Sequence, residues 1–233
     1  MTVIFQPYPS KSFLKVLPEN LRDALLAKAK LHRYADGEQI HRRGDTGQAL
    51  SVIASGRVRF SNIGKDGKRV SLITLGIGES FGEFTLFADS PRMFDMHARG
   101  ETTVQVIERK PFENLLKAKP ELASFIISML ARRLLTALEV LDDERRLPLI
   151  TRLAKALLRR PRAEAEEVEI TVTQKDLADE LTVSRVALGT ALGKLRKLGL
   201  LETSYGRIAI TDLDAMKQWV DDQSHLHQPL PQG

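Results

Sequence analysis

The chain has 233 residues, of which 42% are hydrophobic and 28% are charged, so it can build one large core or two small ones. It contains no cysteine, which excludes disulfides, thiolate metal sites, iron–sulfur clusters and thiol redox sensing. The formal net charge of +5 suits a polyanionic partner without locating it. The N-terminus lacks the pattern of a signal peptide, and no stretch reaches the roughly 20 apolar residues of a membrane span. We expect a soluble, cytoplasmic protein.

The first half of the chain has the texture of a β-domain. After an amphipathic helix at about residues 18–31, short alternating runs are separated by glycines, and ten of the 15 glycines lie at or before position 100. The predicted strands are residues 32–34, 38–41, 49–55, 57–63, 69–75, 96–98 and 103–108. Many short strands with glycine-rich turns favour a sandwich or a jelly-roll barrel, here in a predicted domain 1–118.

A long helix is predicted next, over residues 119–144. Apolar residues recur along it at alternating steps of four and three, which is the spacing of a two-helix coiled coil. The core of this repeat is Ile127, Leu130, Leu134, Ala137 and Leu141, called the seam residues below. Ile126, Met129, Leu135 and Leu138 widen the apolar stripe, so we expect the helix also to pack on its own barrel. The alternative is one intramolecular helix with a broad buried face.

Residues 173–201 predict a helix-turn-helix within a domain 145–222. Leu177 and Ala178 lie on one face of a short first helix, and Ser184 can cap the second helix by accepting a backbone N–H. A hairpin follows, with Gly206 at its turn, which predicts a wing. An ordinary packed helical hairpin is the alternative. Residues 212–220 predict a closing helix, and residues 223–233 a disordered tail.

The second helix presents a polar face that fits the major groove of double-stranded DNA. Arg185, directly after the cap, is placed to read a guanine, and Val186 to touch a thymine methyl group. Lys194 and, at the tip of the wing, Arg207 are candidates for phosphate contacts. The full predicted DNA-binding set is Thr173, Gln174, Ser184, Arg185, Val186, Thr190, Lys194 and Arg207.

Three segments in this order resemble the cyclic-AMP receptor / Fnr (Crp/Fnr) family of bacterial transcription regulators: GDTGQALSVIASGRV from Gly44, FGEFTLFADSPR from Phe81, and ARRLLTALEVL of the long helix together with DLADELTVSR of the helix-turn-helix. The similarity covers roughly residues 12–215. It implies an α+β protein with a cyclic-nucleotide-binding β-barrel, a dimerisation helix and a winged helix-turn-helix. It also implies a homodimer that binds a roughly palindromic operator, contacts RNA polymerase and is not an enzyme.

The resemblance implies an effector site in the barrel. Gly82, Glu83 and Arg92 match the family positions where a carboxylate takes the ribose hydroxyl and a guanidinium pairs with the cyclic phosphate. Phe84 and Met93 complete the expected set. The interval from Glu83 to Arg92 is one residue shorter than in the cyclic-AMP receptor, and Met93 replaces a small hydroxyl residue.

Ala137 and Leu138 stand where that receptor presents hydroxyl groups to the purine. Cyclic AMP is therefore disfavoured, because the hydrogen bonds that select adenine are missing. Another cyclic nucleotide, a different small effector, and no ligand all remain open. In the last case Glu83 and Arg92 would form a structural ion pair.

Other chemistries find less support in the sequence. A haem needs an axial ligand, and His32, His41 and His97 are scattered singly among strands. A cupin-type metalloenzyme needs His and carboxylate ligands clustered on adjacent strands, which the sequence does not show. A constitutive DNA-binding protein, whose barrel only supports dimerisation, is the remaining alternative. No cofactor other than a possible cyclic nucleotide, and no metal, is expected.

Overall fold

The computed structural model describes residues 12–63, 69–160, 169–204 and 206–226. The chain forms two compact units that divide inside one long helix, between Arg132 and Arg133. The glycine-rich segment 64–68, residues 161–168 and the predicted tail from residue 227 lie outside the described residues. Among those described, no helix is long and apolar enough to cross a membrane.

The first unit combines a six-stranded antiparallel sheet with short helices. Its elements, in chain order, are α1 Phe13–Val16, α2 Glu19–Leu26, β1 Lys30–Tyr34, β2 Gln39–His41, β3 Ala49–Ile63, β4 Arg69–Leu75, β5 Ser80–Phe81, α3 Glu83–Phe87, β6 Asp95–Glu108, α4 Arg109–Ala118 and the start of α5 Glu121–Arg146. The strand order is β1-β6-β3-β4, with β2 also paired to β6 and β5 to β3. The predicted β-domain is therefore present.

Two predicted boundaries between strands are wrong. Residues 49–55 and 57–63 were predicted as separate strands but form the single strand β3, and residues 96–98 and 103–108 both belong to β6. Gly56 and Gly100 take positive φ angles of 76° and 70°, and the β3–β6 register shifts between Ile53 and Ser55 and again between Ser55 and Arg57. The glycines bend the paired strands without ending them.

The helices bury one side of the barrel. Phe112 of α4 and Leu25 of α2 are fully buried in a cluster with Leu50 and Ile107 of the sheet. Leu122 and Ile126 of α5 join the same cluster, and Met129 packs against it. The predicted packing of the long helix on its own barrel is thus confirmed for Ile126 and Met129. A second cluster, containing Phe60, Phe81 and Met96, fills the barrel interior.

The predicted first helix is too long at its C-terminal end. It was predicted over residues 18–31, but α2 ends at Leu26 and residues from Lys30 onward form β1. Leu31 pairs with Gln105 of β6 and is exposed. The helical spacing of the apolar residues did not reveal this competing strand pairing.

The second unit contains the end of α5 and a winged helix. Its further elements are α6 Leu149–Leu158, β7 Glu169–Thr171, α7 Gln174–Glu180, α8 Arg185–Lys197, β8 Leu201–Ser204, β9 Arg207–Ile210 and α9 Leu213–Leu226. The strands form an antiparallel sheet in the order β7-β9-β8. The core includes Leu153, Leu177, Leu188 and Leu195, all fully buried, with Met216 of α9.

The C-terminal helix is longer than predicted. The tail was predicted to be disordered from residue 223, but α9 continues to Leu226. Ser224 donates from its hydroxyl to the carbonyl of Val220 at 2.7 Å, one turn earlier, which is compatible with a helical backbone. The polar composition of residues 221–225 suggested a loop, although most of these residues tolerate an exposed helix.

Candidate effector site and nucleic-acid interface

The turn that starts α3 requires a glycine. Gly82 has φ 100° and ψ −1°, and a Cβ at this position would collide with the carbonyl oxygen of Ala49. The carbonyl of Gly82 accepts hydrogen bonds from the N–H of Leu86 at 3.1 Å and the hydroxyl of Thr85 at 2.8 Å. The short helix is therefore held directly against β3, in a geometry that L-residues rarely adopt.

Glu83, the first residue of α3, points into the protein. Only 4% of its surface is exposed, and its carboxylate accepts a hydrogen bond of 2.5 Å from the hydroxyl of Ser80. The Ser80 hydroxyl is itself fully buried and lies 3.1 Å from the sulfur of Met129 on α5. The carboxylate is thus fixed in orientation.

Arg92 is a buried cation with unsatisfied hydrogen-bond donors. It is only 4% exposed, and its Nε and Nη1 have no hydrogen-bond partner among the described residues. Burial lowers the pKa of the Arg92 guanidinium, while the carboxylates of Asp45 and Glu83 oppose that shift. The Glu83 carboxylate acts on the Arg92 charge, so the alternative in which the two form a structural ion pair stays open beside the effector site.

The guanidinium of Arg92 is placed between two glycines. Its Nη1 lies 3.3 Å from the position that a Cβ on Gly82 would take, and its Nη2 lies 3.6 Å from that of Gly47. The Arg92 backbone is fixed as well, because its N–H donates to the carbonyl of Asp45 at 2.9 Å and its carbonyl accepts from Gly44 at 2.8 Å. The structure therefore brings together Gly82, Glu83 and Arg92, as the sequence predicted.

The other two predicted effector residues are more exposed. Phe84 lies on the solvent side of α3, and Met93 directly follows the buried Arg92. Both side chains are more than half exposed, so neither is anchored in the barrel core. The structure places them at the border of the site.

His41 was missed as a site residue in the sequence. Its ring contacts that of Phe81, edge to face, with centroids 6.3 Å apart. Burial, followed by the positive charge of Arg92, lowers the pKa of His41 to about 4, and Asp45 opposes this shift. A single histidine in a strand gives no signal of such a position. Only its pairing with Met96, a barrel-lining residue of β6, identifies His41 as part of this site.

The seam residues divide by exposure along α5. Ile127 and Leu134 are 65% and 61% exposed, whereas Leu130, Ala137 and Leu141 are half-buried. Leu135 and Leu138, predicted to widen the stripe towards the barrel, are also exposed. The helix thus carries a row of large apolar side chains in contact with solvent, which is unusual for a single chain.

The helix-turn-helix is built with two side-chain caps. The hydroxyl of Thr173 accepts from the N–H of Asp176 at 3.0 Å at the start of α7, and that of Ser184 accepts from Ala187 at 3.1 Å at the start of α8. The predicted Ser184 cap is confirmed. Thr182, in the turn, adopts a left-handed φ of 54° without being a glycine, and the N–H of Val183 returns to the carbonyl of Ala178. Gln174, the first residue of α7, is exposed.

The outer face of α8 has short side chains at its centre and charges at its ends. Arg185 is exposed at the first position, and Val186 is 80% exposed. Thr190 donates its hydroxyl to the carbonyl of Val186 at 3.0 Å. Gly189 and Gly193 lie on the same helix, four residues apart, and a Cβ at either would meet nothing within 4 Å.

Exposed basic residues frame this face. Lys194 lies in the last part of α8, and Arg207 begins β9 directly after the turn of the wing. Both side chains are exposed. The predicted DNA-binding residues therefore lie on the surface of the winged helix, with basic groups that can approach phosphates.

An ion-pair network connects the first three helices of the second unit. Asp143, near the end of α5, is buried. It contacts Lys155 of α6 at 2.5 Å and Arg159, the residue after α6, at 2.7 Å. Arg160 then pairs with Glu180 of α7 at 2.5 Å. Burial raises the pKa of Glu180, and the Arg160 charge opposes this. No group of three His, Cys, Asp or Glu side chains suited to a metal occurs among the described residues.

Comparison with protein families matches both units. Residues 31–119 match the cyclic nucleotide-binding domain, and residues 151–219 match the Crp-like helix-turn-helix domain. The chain belongs to the Crp/Fnr family of transcription regulators. It is a DNA-binding transcription regulator that carries a cyclic nucleotide-binding domain.

Characterised relatives agree with this assignment. The chain is 29% identical over 213 residues to the cyclic AMP receptor protein of Thermus thermophilus, covering 90% of this chain and 96% of that protein. It is 26% identical to the cAMP-activated global transcriptional regulator CRP of Haemophilus influenzae, covering 77% and 83%. The structure of FixK2 from Bradyrhizobium japonicum, 21% identical, shares the fold with a TM-score of 0.69, covering 82% of this chain and 96% of that one.

Proposed function

We propose that this regulator acts as a homodimer whose affinity for DNA is controlled by a phosphate-bearing effector, of the cyclic-nucleotide class, bound at Arg92. The observation that carries the proposal is the buried guanidinium with two unpaired nitrogens. Two buried nitrogens without hydrogen bonds are costly even beside the carboxylates of Asp45 and Glu83, because the protein does not replace the hydrogen bonds that these nitrogens had in water. An anion that accepts from Nε and Nη1 would remove this cost.

The neighbouring groups suit a sugar-phosphate. At Gly47 and Gly82 the backbone lies beside the guanidinium without a side chain in between. The Glu83 carboxylate, which acts on the charge of the same guanidinium, is the group that would accept a hydrogen bond from a ribose hydroxyl. Relatives named for cyclic AMP support a nucleotide, although the residues at 137 and 138 disfavour that particular base.

Dimerisation is proposed through the exposed row on α5. A second copy of this chain is the occupant that the spacing favours, because steps of four and three residues match a two-helix coiled coil. Leu134 and Ile127 are large and exposed, and a coiled-coil partner would bury both. Each protomer would then bring one α8 to the DNA.

Sequence readout is proposed for α8. Its N-terminal residues would contact base edges in the major groove, with Arg185 donating to O6 and N7 of a guanine and Val186 against a thymine methyl group. In a symmetric dimer, two such helices about 34 Å apart would read a palindromic operator. Lys194 and Arg207 would contact phosphates.

The effector part is tested by calorimetry of the purified full-length protein against cyclic AMP, cyclic GMP and cyclic di-GMP. We expect one of them to bind, and Arg92→Gln to weaken that binding by about 10- to 100-fold, the value of a charged hydrogen bond. Arg33→Gln, which removes an exposed arginine of β1, is the matched control and should bind like the wild type. Absence of binding by all three, or equal affinity for Arg92→Gln, would overturn the proposal.

A further inference from the structure

His41 faces the interior of the barrel. It pairs with Met96 across the β2–β6 register, and residues directly opposite each other in antiparallel strands share a face. Met96 is buried in the interior cluster with Phe81, and the His41 ring touches that same Phe81. Because Phe81 directly precedes Gly82, the imidazole lies next to the turn that starts the proposed effector site.

Charged and titratable groups from several neighbouring elements surround His41. Arg92 and Asp45 act on it directly, with opposite signs. Glu83 faces the same guanidinium from α3. On β6, Asp95 accepts from the backbone N–H of Arg43 at 2.9 Å, and His97, the neighbour of Met96, lies on the opposite face of the strand. Arg42 and Arg43 are exposed in the loop after β2.

In the ligand-free barrel the imidazole is neutral near pH 7. Burial and the Arg92 charge hold the pKa of His41 at about 4, well below the usual value for histidine. An anion seated on Arg92 would cancel the repulsion from the guanidinium and attract a proton to the ring. The pKa of His41 would then rise towards the physiological range.

We propose that His41, whose ring lies against Phe81 next to the Gly82 turn, is a contact of the effector site and takes up a proton when a phosphate group occupies Arg92. The imidazolium would donate a second charged hydrogen bond to the anion, with the proton taken from solvent. The inference rests on the proposed function, since it needs an anionic ligand at Arg92. It makes effector affinity dependent on pH through a residue that was not predicted to belong to the site.

The first test measures the affinity of the tightest-binding cyclic nucleotide of the panel between about pH 5.5 and 7.5. Wild-type affinity should increase as the pH falls, by at most about tenfold per pH unit, the limit for uptake of one proton. His41→Gln should show a flat profile. His32→Gln, which removes an exposed histidine of β1, should keep the wild-type slope. Equal slopes for wild type and His41→Gln would overturn the proposal.

The second test observes the His41 ring by NMR in the full-length protein, with its signal assigned by its loss in His41→Gln. Without ligand, the ring should remain neutral down to about pH 5, and Arg92→Gln should raise its pKa. Adding sodium sulfate, an anion that does not titrate in this range, should also raise it in the wild type. A normal histidine pKa in the free protein, or no change with either a bound nucleotide or sulfate, would refute the inference.

The two proposals fail in different ways. If no cyclic nucleotide binds but sulfate raises the pKa of His41, the effector class is wrong and the proton linkage stands. If a nucleotide binds with the same affinity at both ends of the pH range, and the ring does not titrate with it, the effector site stands and the role of His41 is wrong.

Discussion

Gly193 on α8 gives an unusually clear prediction, because its effects on stability and on DNA binding have opposite signs. Glycine in an exposed helix interior is less favourable than alanine by about 0.8–1.0 kcal/mol. A Cβ at Gly193 would meet nothing within 4 Å, and its φ lies outside the left-handed region. Gly193→Ala should therefore stabilise the winged helix by about 0.8–1.0 kcal/mol.

Among the described residues, nothing lies close enough to Gly193 to require a glycine there and so explain this cost. Its neighbours on the exposed face, Gly189 and Thr190, are also small, so the backbone of α8 is open along its centre. We interpret this as room for close approach to the floor of the major groove. An added methyl group should then weaken operator binding by about tenfold, which is about 1.4 kcal/mol.

Denaturant unfolding and fluorescence anisotropy with a labelled operator measure the two effects on one preparation. Gly199→Ala is the matched control, because Gly199 has a φ of 71° and the same substitution there should destabilise the protein. Unchanged DNA affinity in a stabilised Gly193→Ala protein would refute the idea of close approach. A destabilised Gly193→Ala would refute the stability argument.

Three further substitutions test other parts of the molecule. Arg185→Ala should lose about 1–3 kcal/mol of preference for operator over random DNA while keeping salt-sensitive binding, and equal losses on both DNAs would contradict the base contact. Asp143→Asn removes the carboxylate of a buried ion-pair cluster and should destabilise the protein by about 3–5 kcal/mol in denaturant unfolding. Asp142→Asn changes an exposed neighbour, and a loss as large as that of Asp143→Asn would contradict the role of burial. Leu134→Lys should shift the dimer towards monomer in sedimentation experiments. Ser128→Lys, which changes an exposed residue of α5 outside the seam residues, should leave the dimer intact. Unchanged dimer affinity in both variants would refute dimerisation through the seam residues.

Features that depend only on residues close together in the chain could be predicted from the sequence. The strand at residues 69–75 was predicted with the bounds of β4, and Ser184 was placed correctly as a cap, because alternation and capping depend on neighbouring residues. The heptad spacing of α5 was equally visible. Its two ends could not be placed to better than two residues, since the charged residues after Leu141 continue the helix to Arg146.

Features that depend on distant partners were missed. β7 is an edge strand of three residues next to acidic sequence, and only its pairing with β9 defines it. Asp143 lies in a run of charged residues, a pattern that favours exposure to solvent, but in the structure it is buried against α6. The burial of Arg92 and its coupling to His41 likewise arise from β2, β6 and the α3 turn, which come together only in the folded barrel.

The central claim is that occupation of the barrel changes the affinity for DNA. Anisotropy titration of a labelled operator, selected from random DNA with the purified protein, measures this directly with and without saturating cyclic nucleotide. We expect a change of about 5- to 150-fold with the nucleotide that binds, the usual size of coupling between two sites, and none in Arg92→Gln. Equal operator affinity in the presence and absence of every bound nucleotide would contradict the account and would favour a constitutive DNA-binding protein.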